Sequence, residues 1–471
     1  MGGNDQGSSA GKGLTRREVL RLLGGTAGAC MLSAGIPGLT NAQAATRPNI
    51  IFILCDDHRW DHLSSMGHPF LKTANLDRMY TGGVLCENAF VTTSLCSPSR
   101  ASFLTGQYAH KHGVKNNITP WNNDNVTFLE ILKQHGYDTA FIGKWHMPGK
   151  GLPTLRGVDR FISFTAQRGQ GQYYNCPLFV DGVETPSRRE YITQELTDYA
   201  LEFIGRKRDN PFCVYLSLKA VHHQWLPPRD LKGIYKDVKD LGLPQEADNW
   251  LGLVNNNITY GTLGRLDDMY RRYCETIVSV DREVGRVLES LDTLGISQDT
   301  AVIFVGDNGF FWGEHRLVDK RWAYEESIRV PLLVRYPRLI KNPVRKVQEM
   351  VLNIDLAPTV LDIAGITPPE HIQGRSIVPL LEASPVSWRT SWLYEYYRDY
   401  PYTVPDLFAV RTDTYKYIET GSNHYPPELY NIRHDSKEMH NLYHEDKAAP
   451  ILTRMQAELE RLKRETGMEK P

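Results

Sequence analysis

The chain has 471 residues, enough to bury a large core, and its 41% hydrophobic and 23% charged residues are ordinary for a soluble enzyme. Its formal net charge of −1 lacks the basic excess of nucleic-acid-binding proteins, so we expect no nucleic-acid partner. Seven cysteines without CxxC spacing argue against a structural zinc module and against a dense disulfide framework.

Residues 1–44 are typical of an export signal rather than of a folded domain. Arg16 and Arg17 form a twin-arginine pattern, an apolar stretch rich in glycine follows to about residue 39, and residues 42–44 (Ala-Gln-Ala) offer a cleavage site. The glycines make this stretch a poor membrane anchor, and Cys30 only weakly resembles a lipoprotein site. We therefore expect the twin-arginine translocase as a partner and a bacterial protein that is periplasmic or secreted.

The next part of the chain, residues 45–380, alternates short apolar runs with amphipathic stretches. This pattern predicts an α/β domain with a large, mainly parallel central sheet flanked by helices. The clearest strands are residues 49–55, 139–142, 212–218 and 300–305, and the clearest helix is 273–294. Cys55 and Cys213 lie within apolar runs and are expected to be core thiols.

Residues 381–471 have a different residue pattern. The segment 391–402 is rich in aromatic residues, 408–418 alternates like one strand, and 450–464 is a charged helical stretch. We expect a smaller C-terminal subdomain with an antiparallel sheet and a terminal helix.

Polar residues follow the predicted parallel strands where each strand ends. In open α/β sheets ligands bind beyond these carboxyl ends, so the polar groups are expected to meet in one crevice. They are Asp56 and Asp57, Lys144 and His146, His222, and Asp307 and Asn308. The four Asp and Asn side chains offer hard oxygen ligands, which suit Ca²⁺ or Mg²⁺ better than zinc.

Residues 94–106 contain a cysteine at a predicted helix start. Pro98 suits the first helical turn, and Arg100 lies one turn after Cys96. The positive end of a helix attracts anions and lowers the pKa of a thiol, so we expect a lowered pKa for Cys96. In residues 136–146, Lys144 and His146 are two apart and would point the same way on an extended segment.

The Cys-Ser-Pro-Ser-Arg sequence from Cys96 to Arg100, closed by Thr105 and Gly106, resembles the modification signature of type I sulfatases of the alkaline phosphatase superfamily. Residues 136–146, 217–223 and 309–337 resemble further motifs of that family, in the family's order. The resemblance implies an alkaline-phosphatase-like fold and conversion of Cys96 to formylglycine. A cytoplasmic formylglycine-generating or sulfatase-maturating enzyme would be a partner.

The same resemblance implies roles for individual residues. The metal, Ca²⁺ in preference to Mg²⁺, would be held by Asp56, Asp57, Asp307, Asn308 and the modified residue at Cys96. The hydrated aldehyde would attack sulfur.

The remaining matched residues would bind sulfate or move protons. Arg100, Lys144 and Lys320 would bind the sulfate oxygens, with Lys320 also near the leaving oxygen. His222 would protonate the departing alcohol, and His146 would act as the base when the sulfated hydrate collapses. Val221 replaces the family's proline, which leaves the local turn and the choice between His222 and His223 open.

Sulfated carbohydrates in host or algal glycans are the expected substrates, since the chain most resembles N-acetylglucosamine-6-sulfatases in residues 112–117, 171–175 and 307–325. Two alternatives remain: a phosphate or phosphonate ester hydrolase of the same superfamily, and a non-catalytic protein that binds sulfated glycans. Trp121, Trp225, Trp312 and Tyr396 could stack on sugar rings or pack in the core.

Overall fold

The computed structural model of the protein describes residues 47–149, 154–165, 169–244 and 265–468. The described strands are β1 (Asn49–Cys55), β2 (Val84–Cys86), β3 (Ala89–Phe90), β4 (Asp138–Gly143), β5 (Arg160–Phe164), β6 (Leu178–Val180), β7 (Val183–Thr185), β8 (Phe212–Ser217), β9 (Thr300–Gly306), β10 (Phe311–Trp312), β11 (Val318–Asp319), β12 (Leu332–Arg335), β13 (Arg345–Val347), β14 (Val351–Leu352), β15 (Ser391–Tyr396), β16 (Leu407–Thr412), β17 (Tyr415–Thr420) and β18 (Glu428–Asn431).

The described α-helices are α1 (Ala74–Thr81), α2 (Cys96–Thr105), α3 (Ala109–His112), α4 (Phe128–Gln134), α5 (Ile192–Ile204), α6 (Leu266–Thr293), α7 (Glu325–Ile328), α8 (Leu356–Ile363), α9 (Val378–Leu381) and α10 (Ala449–Glu465). Short 3₁₀ turns lie at Ser64–Met66, Ser297–Asp299, Glu314–Arg316, Asn353–Asp355 and Asp446–Ala448. In the described part of the chain, no helix is long and apolar enough to cross a membrane.

The central sheet has ten strands in the order β13-β2-β12-β9-β1-β8-β4-β5-β6-β7. The five strands in its middle, β9-β1-β8-β4-β5, are all parallel, and antiparallel pairs occur only toward the two edges. In the register, Ile51 of β1 lies between Val214 of β8 and Val302 of β9. The mainly parallel sheet predicted from the sequence is confirmed.

Both faces of this sheet are buried. Along β1, Ile51 and Ile53 pack into one apolar cluster with α5 and α6, while Phe52 and Leu54 pack into a second with α4 and α8. Strands of a parallel sheet covered on both faces are apolar throughout rather than alternating. This is why the central strands could be recognised as short apolar runs.

Two predicted elements differ from the structure. The helix expected at 273–294 is α6, which begins at Leu266 because Met269 and Tyr270 extend its buried face. The single strand expected at 408–418 is wrong: the segment is a hairpin of β16 and β17. The Thr412 hydroxyl accepts hydrogen bonds from the backbone N–H groups of Thr414 and Tyr415, which turns the chain between the two strands.

The C-terminal antiparallel sheet has the order β15-β16-β17-β18, and α10 packs against it. It shares an apolar cluster with residues near α7, and a buried ion pair joins Lys416 of β17 to Glu325 of α7 at 2.8 Å. All described residues fall within one compact unit, Thr46–Pro471. The predicted export signal, with Arg16, Arg17 and Cys30, lies outside the described residues.

Candidate active site

The carboxyl ends of four parallel strands deliver polar side chains to one edge of the central sheet. Because β4, β8, β1 and β9 are adjacent in the sheet, the residues that follow them are neighbours. They are Lys144 after β4, Ser217 at the end of β8, Asp56 and Asp57 after β1, and Asp307 and Asn308 after β9. The structure thus brings together the predicted strand-end residues.

The position of Lys144 depends on the glycine before it. Gly143 has φ +117°, and a Cβ added there would lie 1.8 Å from the carbonyl oxygen of Ser217, so only glycine fits. The Lys144 backbone N–H then donates to this same carbonyl (2.7 Å), and its ammonium group pairs with Asp56 Oδ2 at 2.5 Å. Both charged groups are fully buried.

Cys96 is the first residue of α2 and lies among these charges. Its Sγ is 3.3 Å from Lys320 Nζ and 3.8 Å from Asp56 Oδ1. The expectation of a lowered pKa is wrong: burial raises the pKa of the Cys96 thiol to about 12, outweighing the opposing charges of Lys144 and Lys320. As an unmodified cysteine this residue is a protonated thiol and a poor nucleophile.

Arg100 lies one turn along α2 and is fixed by three neighbours. Its Nε donates to Asp307 Oδ2 (2.9 Å), and its Nη1 donates to the Ser217 hydroxyl (2.7 Å) and to the Lys144 carbonyl (3.0 Å). Its Nη2 lies 2.8 Å from Asp307 Oδ2 as part of the ion pair. The Ser217 hydroxyl in turn donates to the Lys144 carbonyl (2.7 Å). Ser217 also lies at the end of a predicted parallel strand, but no signal in the sequence distinguishes it as a site residue.

Three aspartates and one asparagine form the predicted oxygen-ligand cluster. One carboxylate oxygen from each of Asp56, Asp57 and Asp307 lies within 4.8 Å of the others. Asp57 Oδ2 and Asn308 Oδ1 are buried and lack a hydrogen-bond partner in the described part of the chain. Buried oxygens without partners cost free energy, and a hard divalent cation would satisfy them. These residues fit Ca²⁺ or Mg²⁺.

Burial and the charges within the cluster together shift the pKa values of its carboxyl groups in opposite directions. Burial acts to raise the pKa of Asp56, but Lys144 and Arg100 outweigh it and hold this pKa well below its usual value. Burial raises the pKa of Asp57 against the opposing charge of Lys320. Burial and the charge of Asp56 raise the pKa of Asp307. A divalent cation would favour the ionised form of all three.

Lys320 and His222 both lie near Asp57 of the cluster. The Lys320 ammonium pairs with Asp57 Oδ1, and His222 Nε2 lies 4.0 Å from Asp57 Oδ2. His222 also groups with Asp56 and Cys96, and the His223 ring lies beside it, tilted by 50° with ring centroids 4.2 Å apart. Burial, assisted by the charge of Lys144, lowers the pKa of His222 well below its usual value.

His146 lies beside α2 in an unexpected conformation. Its φ of +50° is left-handed, so the expectation of an extended segment from Lys144 to His146 is wrong. The Ser97 hydroxyl donates to the His146 carbonyl (2.5 Å), which keeps this backbone next to the start of α2. Burial and the nearby charge of Lys144 lower the pKa of His146, so its ring is neutral at neutral pH.

The turn that carries Val221 in place of proline is held by the first strand end. The Asp56 backbone N–H donates to the Ala220 carbonyl (2.9 Å), and the Val221 N–H donates to the Asp56 carbonyl (2.7 Å). This pair of bonds fixes the turn before His222 directly to the aspartate cluster.

Three of the four aromatic residues considered for sugar stacking are core residues. Trp225, Trp312 and Tyr396 are fully buried, and the two tryptophans pack against each other with centroids 4.9 Å apart. Trp121 is partly exposed and packs on Trp145. Stacking on a substrate is therefore restricted to Trp121 among these four.

Two contacts at the start of α2 were not predicted. The side chain of Asn117 accepts a hydrogen bond from the Ser97 backbone N–H (3.1 Å), and the Asn117 N–H donates to Asp399 of the C-terminal part (3.2 Å). This chain of bonds links the amino end of α2 to the segment between β15 and β16. No local motif predicts such a contact between segments far apart in sequence.

Comparison with known proteins identifies the class to which this fold and site belong. The family described as Sulfatase matches residues 48–366, and the family described as N-sulphoglucosamine sulphohydrolase, C-terminal, matches residues 313–465. The chain belongs to the sulfatase family and is a sulfuric ester hydrolase.

Two individual members of the family match most of the chain. The chain is 32% identical over 473 residues to an N-acetylglucosamine-6-O-sulfatase of Bacteroides thetaiotaomicron, covering 85% of this chain and 83% of that protein. It is 31% identical over 406 residues to human N-acetylglucosamine-6-sulfatase, covering 80% of this chain and 71% of the human protein.

Two solved structures share the fold of this chain. BT4656, solved in complex with its substrate D-glucosamine-2-N,6-O-disulfate, superposes with a TM-score of 0.83 at 29% identity, covering 90% of this chain and 99% of that one. The phosphonate monoester hydrolase of Agrobacterium radiobacter shares the fold at 22% identity, with a TM-score of 0.75 over 89% of this chain and 96% of that one. The alkaline-phosphatase-like architecture is therefore confirmed.

Proposed function

We propose that the protein is a formylglycine-dependent carbohydrate sulfatase that removes the 6-O-sulfate of N-acetylglucosamine residues in sulfated glycans. The observation that carries this proposal is the 32% identity to an N-acetylglucosamine-6-O-sulfatase over 85% of the chain. Relatives from bacteria and from humans carry the same activity in their names, which supports the sugar as well as the reaction.

The proposed nucleophile is residue 96 after conversion of Cys96 to formylglycine, whose hydrate supplies a hydroxyl that attacks sulfur. In the structure, Cys96 Sγ occupies the place of such a hydroxyl oxygen on the same carbon. Its distances of 3.3 Å to Lys320 and 3.8 Å to Asp56 are those of an atom close to both a cation and a carboxylate. The raised pKa of the thiol supports the need for this modification.

A divalent cation would be held by Asp56, Asp57, Asp307 and Asn308, together with the modified residue 96. When bound, it supplies positive charge for the sulfate oxygens and favours the ionised aspartates. We favour Ca²⁺ over Mg²⁺ because the sulfatase family commonly holds calcium.

Three buried cations would bind the sulfate group. Arg100, Lys144 and Lys320 each lie against an aspartate of the cluster, so they are held in place before substrate arrives. Such preorganised charge acts in a site shielded from water, where it stabilises developing negative charge most effectively. Their positions support a role for all three in binding the sulfate oxygens.

Two histidines would move protons in this mechanism. His222 would donate a proton to the departing sugar oxygen, since the negative charge of the sulfate ester favours the protonated ring. His146, which is neutral because its pKa is lowered, would take a proton when sulfate leaves residue 96. Splitting the reaction into two steps is the general advantage of covalent catalysis.

The proposal includes export through residues 1–44 and modification of Cys96 before export. A twin-arginine signal in residues 1–44 would carry the folded protein to the periplasm or out of the cell. Modification of Cys96 by a formylglycine-generating or sulfatase-maturating enzyme would precede export, in the cytoplasm. Mass spectrometry of the mature amino terminus and of the peptide containing residue 96 tests both points.

A panel of matched sugar esters tests the proposed specificity. The panel contains N-acetylglucosamine 6-sulfate, its 3-sulfate, N-acetylgalactosamine 6-sulfate and N-acetylglucosamine 6-phosphate. The proposal expects the first to have the highest kcat/KM. A preference for the phosphate would instead support the phosphate or phosphonate hydrolase, and binding without hydrolysis by the modified protein would support a glycan-binding protein.

A further inference from the structure

The loop of residues 169–173 contacts both candidate histidines. Gln170 Nε2 lies 2.7 Å from His146 Nε2, and the Tyr173 hydroxyl donates to the His222 carbonyl at 2.7 Å. Neither contact is explained by a catalytic motif. The loop is therefore placed to control the orientation of the two groups proposed to move protons.

This loop is anchored by packing. Gly171 has φ +68°, and a Cβ added there would lie 2.7 Å from the Phe164 ring, so the turn after Gln170 requires glycine. Tyr173 is buried, with 1% of its surface exposed. The Gln170 side chain is thus carried on a segment that is fixed against the end of β5.

The His146 ring has one hydrogen-bond partner among the described residues, and that partner is Gln170. Its Nδ1 is buried and has no partner in the same part of the chain. A neutral imidazole has one protonated and one unprotonated nitrogen, and the hydrogen bond made by one nitrogen decides the state of the other. Gln170 therefore decides whether Nδ1 can accept a proton.

Two arrangements of the Gln170 amide place an atom at this distance from the ring. If the amide nitrogen donates to Nε2, the ring proton must lie on Nδ1, which then cannot act as a base. If the amide oxygen accepts from an Nε2–H group, Nδ1 keeps its lone pair. In each arrangement one end of the amide is without a partner, so hydrogen-bond satisfaction alone does not separate them. The proposed role of His146 separates the two arrangements, because a base needs an unprotonated ring nitrogen.

We propose that Gln170 is a positioning residue that accepts a hydrogen bond from His146 Nε2–H and so keeps Nδ1 unprotonated as the base for sulfate release. This inference rests on the proposed function, because it assumes that His146 acts on the sulfated residue 96. In that step Nδ1 takes the proton of the remaining hydroxyl on the Cβ carbon. The C–O bond to that hydroxyl oxygen becomes a carbonyl, the other C–O bond breaks, and sulfate leaves as the dianion.

The test compares three variants with matched chemistry. Gln170→Leu removes the acceptor, whereas Gln170→Glu keeps an acceptor oxygen and cannot donate. Gln172→Leu makes the same change two residues along the loop, where the side chain's hydrogen-bond partner among the described residues is the Asn175 carbonyl, at 3.0 Å. We expect kcat to fall on the order of ten- to a hundredfold in Gln170→Leu, as for other orienting partners. Gln170→Glu and Gln172→Leu should stay close to the wild type.

The second readout is the covalent state of residue 96 during turnover. Since the defect lies in sulfate release, mass spectrometry of quenched Gln170→Leu should show the mass of a bound sulfate accumulating on residue 96, and KM should fall with kcat. His146→Ala should accumulate the same species. A rise in KM without accumulation would overturn the inference and make Gln170 a substrate contact.

The third readout needs neither formylglycine nor substrate. In NMR spectra of the Cys96 protein with isotope-labelled histidine rings, assigned by comparison with His146→Gln, we expect the proton on Nε2. A proton on Nδ1 would overturn the inference even if the leucine variant does not fold. If His146→Ala accumulates sulfate and Gln170→Leu does not, the inference fails while the proposed function stands. A formylglycine-bearing wild-type enzyme that releases no sulfate from N-acetylglucosamine 6-sulfate would refute the proposed function instead.

Discussion

Removal of the divalent cation should make the stability of the protein depend on pH in a way that the aspartate cluster determines. Burial and the charge of Asp56 raise the pKa of Asp307 to about 7 in the metal-free protein. An unfolded aspartate titrates near pH 4, so between about pH 4 and about pH 7 the folded state binds more protons than the unfolded state. Metal-free protein should therefore lose stability as the pH rises through this window.

Calcium should cancel this trend, because it binds the ionised carboxylates and so keeps Asp307 ionised throughout this window. Two pH units below the pKa of Asp307, calcium must displace a proton at a cost of about 3 kcal/mol, or about a hundredfold in apparent Kd. For a chain of 471 residues this free energy corresponds to a difference in Tm of about 3 °C. Calcium should thus raise Tm by several degrees more at about pH 8 than at about pH 5.

Thermal unfolding with Ca²⁺ and with a chelator, at both pH values, measures this difference. Burial also raises the pKa of Glu438 to about 7. Glu438 pairs with Lys416 and is not a proposed calcium ligand, so its contribution is the same with calcium and with the chelator and cancels in their difference. Asp307→Asn should abolish the calcium effect. Asp268→Asn, at a side chain that is 61% exposed on α6, should preserve it. An equal calcium effect at both pH values would show that calcium binding does not displace a proton from Asp307.

Three further predictions follow from the site and its support. Cys96→Ala should abolish sulfate release while far-UV circular dichroism is unchanged, and substantial remaining turnover would contradict its assignment as the nucleophile. His222→Gln should lower kcat on sugar sulfates by about 10²- to 10⁴-fold, as expected for loss of a general acid, whereas His223→Gln should change it little; the reverse order would reassign the acid. Lys416→Met should cost about 3–5 kcal/mol in urea unfolding, because buried Glu438 loses its ion-pair partner and buried Glu325 keeps only Arg411 among the described residues. Lys447→Met, at a side chain that is 85% exposed, should cost close to nothing, and equal losses would contradict the argument from burial.

The central strands and the residues that follow them could be predicted because each signal is local. A strand buried on both faces needs a continuous apolar run, as in β1 and β9. The polar residues after such runs must share one sheet edge when the strands are parallel and adjacent. Asp56, Lys144 and Asp307 were placed in this way without knowledge of the sheet order.

Other features could not be predicted because they depend on the folded environment. The pKa of Cys96 rises since complete burial outweighs the helix end and the nearby lysines, and a sequence does not give the degree of burial. The contact of Gln170 with His146 joins residues 24 apart, and its loop has no motif for such a role. The hairpin at Thr412 was missed because a polar turn of two residues leaves the alternation of the flanking strands nearly intact.

The most direct test of the proposed function is sulfate release from N-acetylglucosamine 6-sulfate by two samples of the same protein. One sample is shown by peptide mass to carry formylglycine at residue 96, and the other to carry unmodified Cys96. We predict turnover that scales with the fraction of formylglycine and is absent from the cysteine form. Equal sulfate release by both samples would contradict the proposed nucleophile, and no release from the modified form would contradict the proposed substrate.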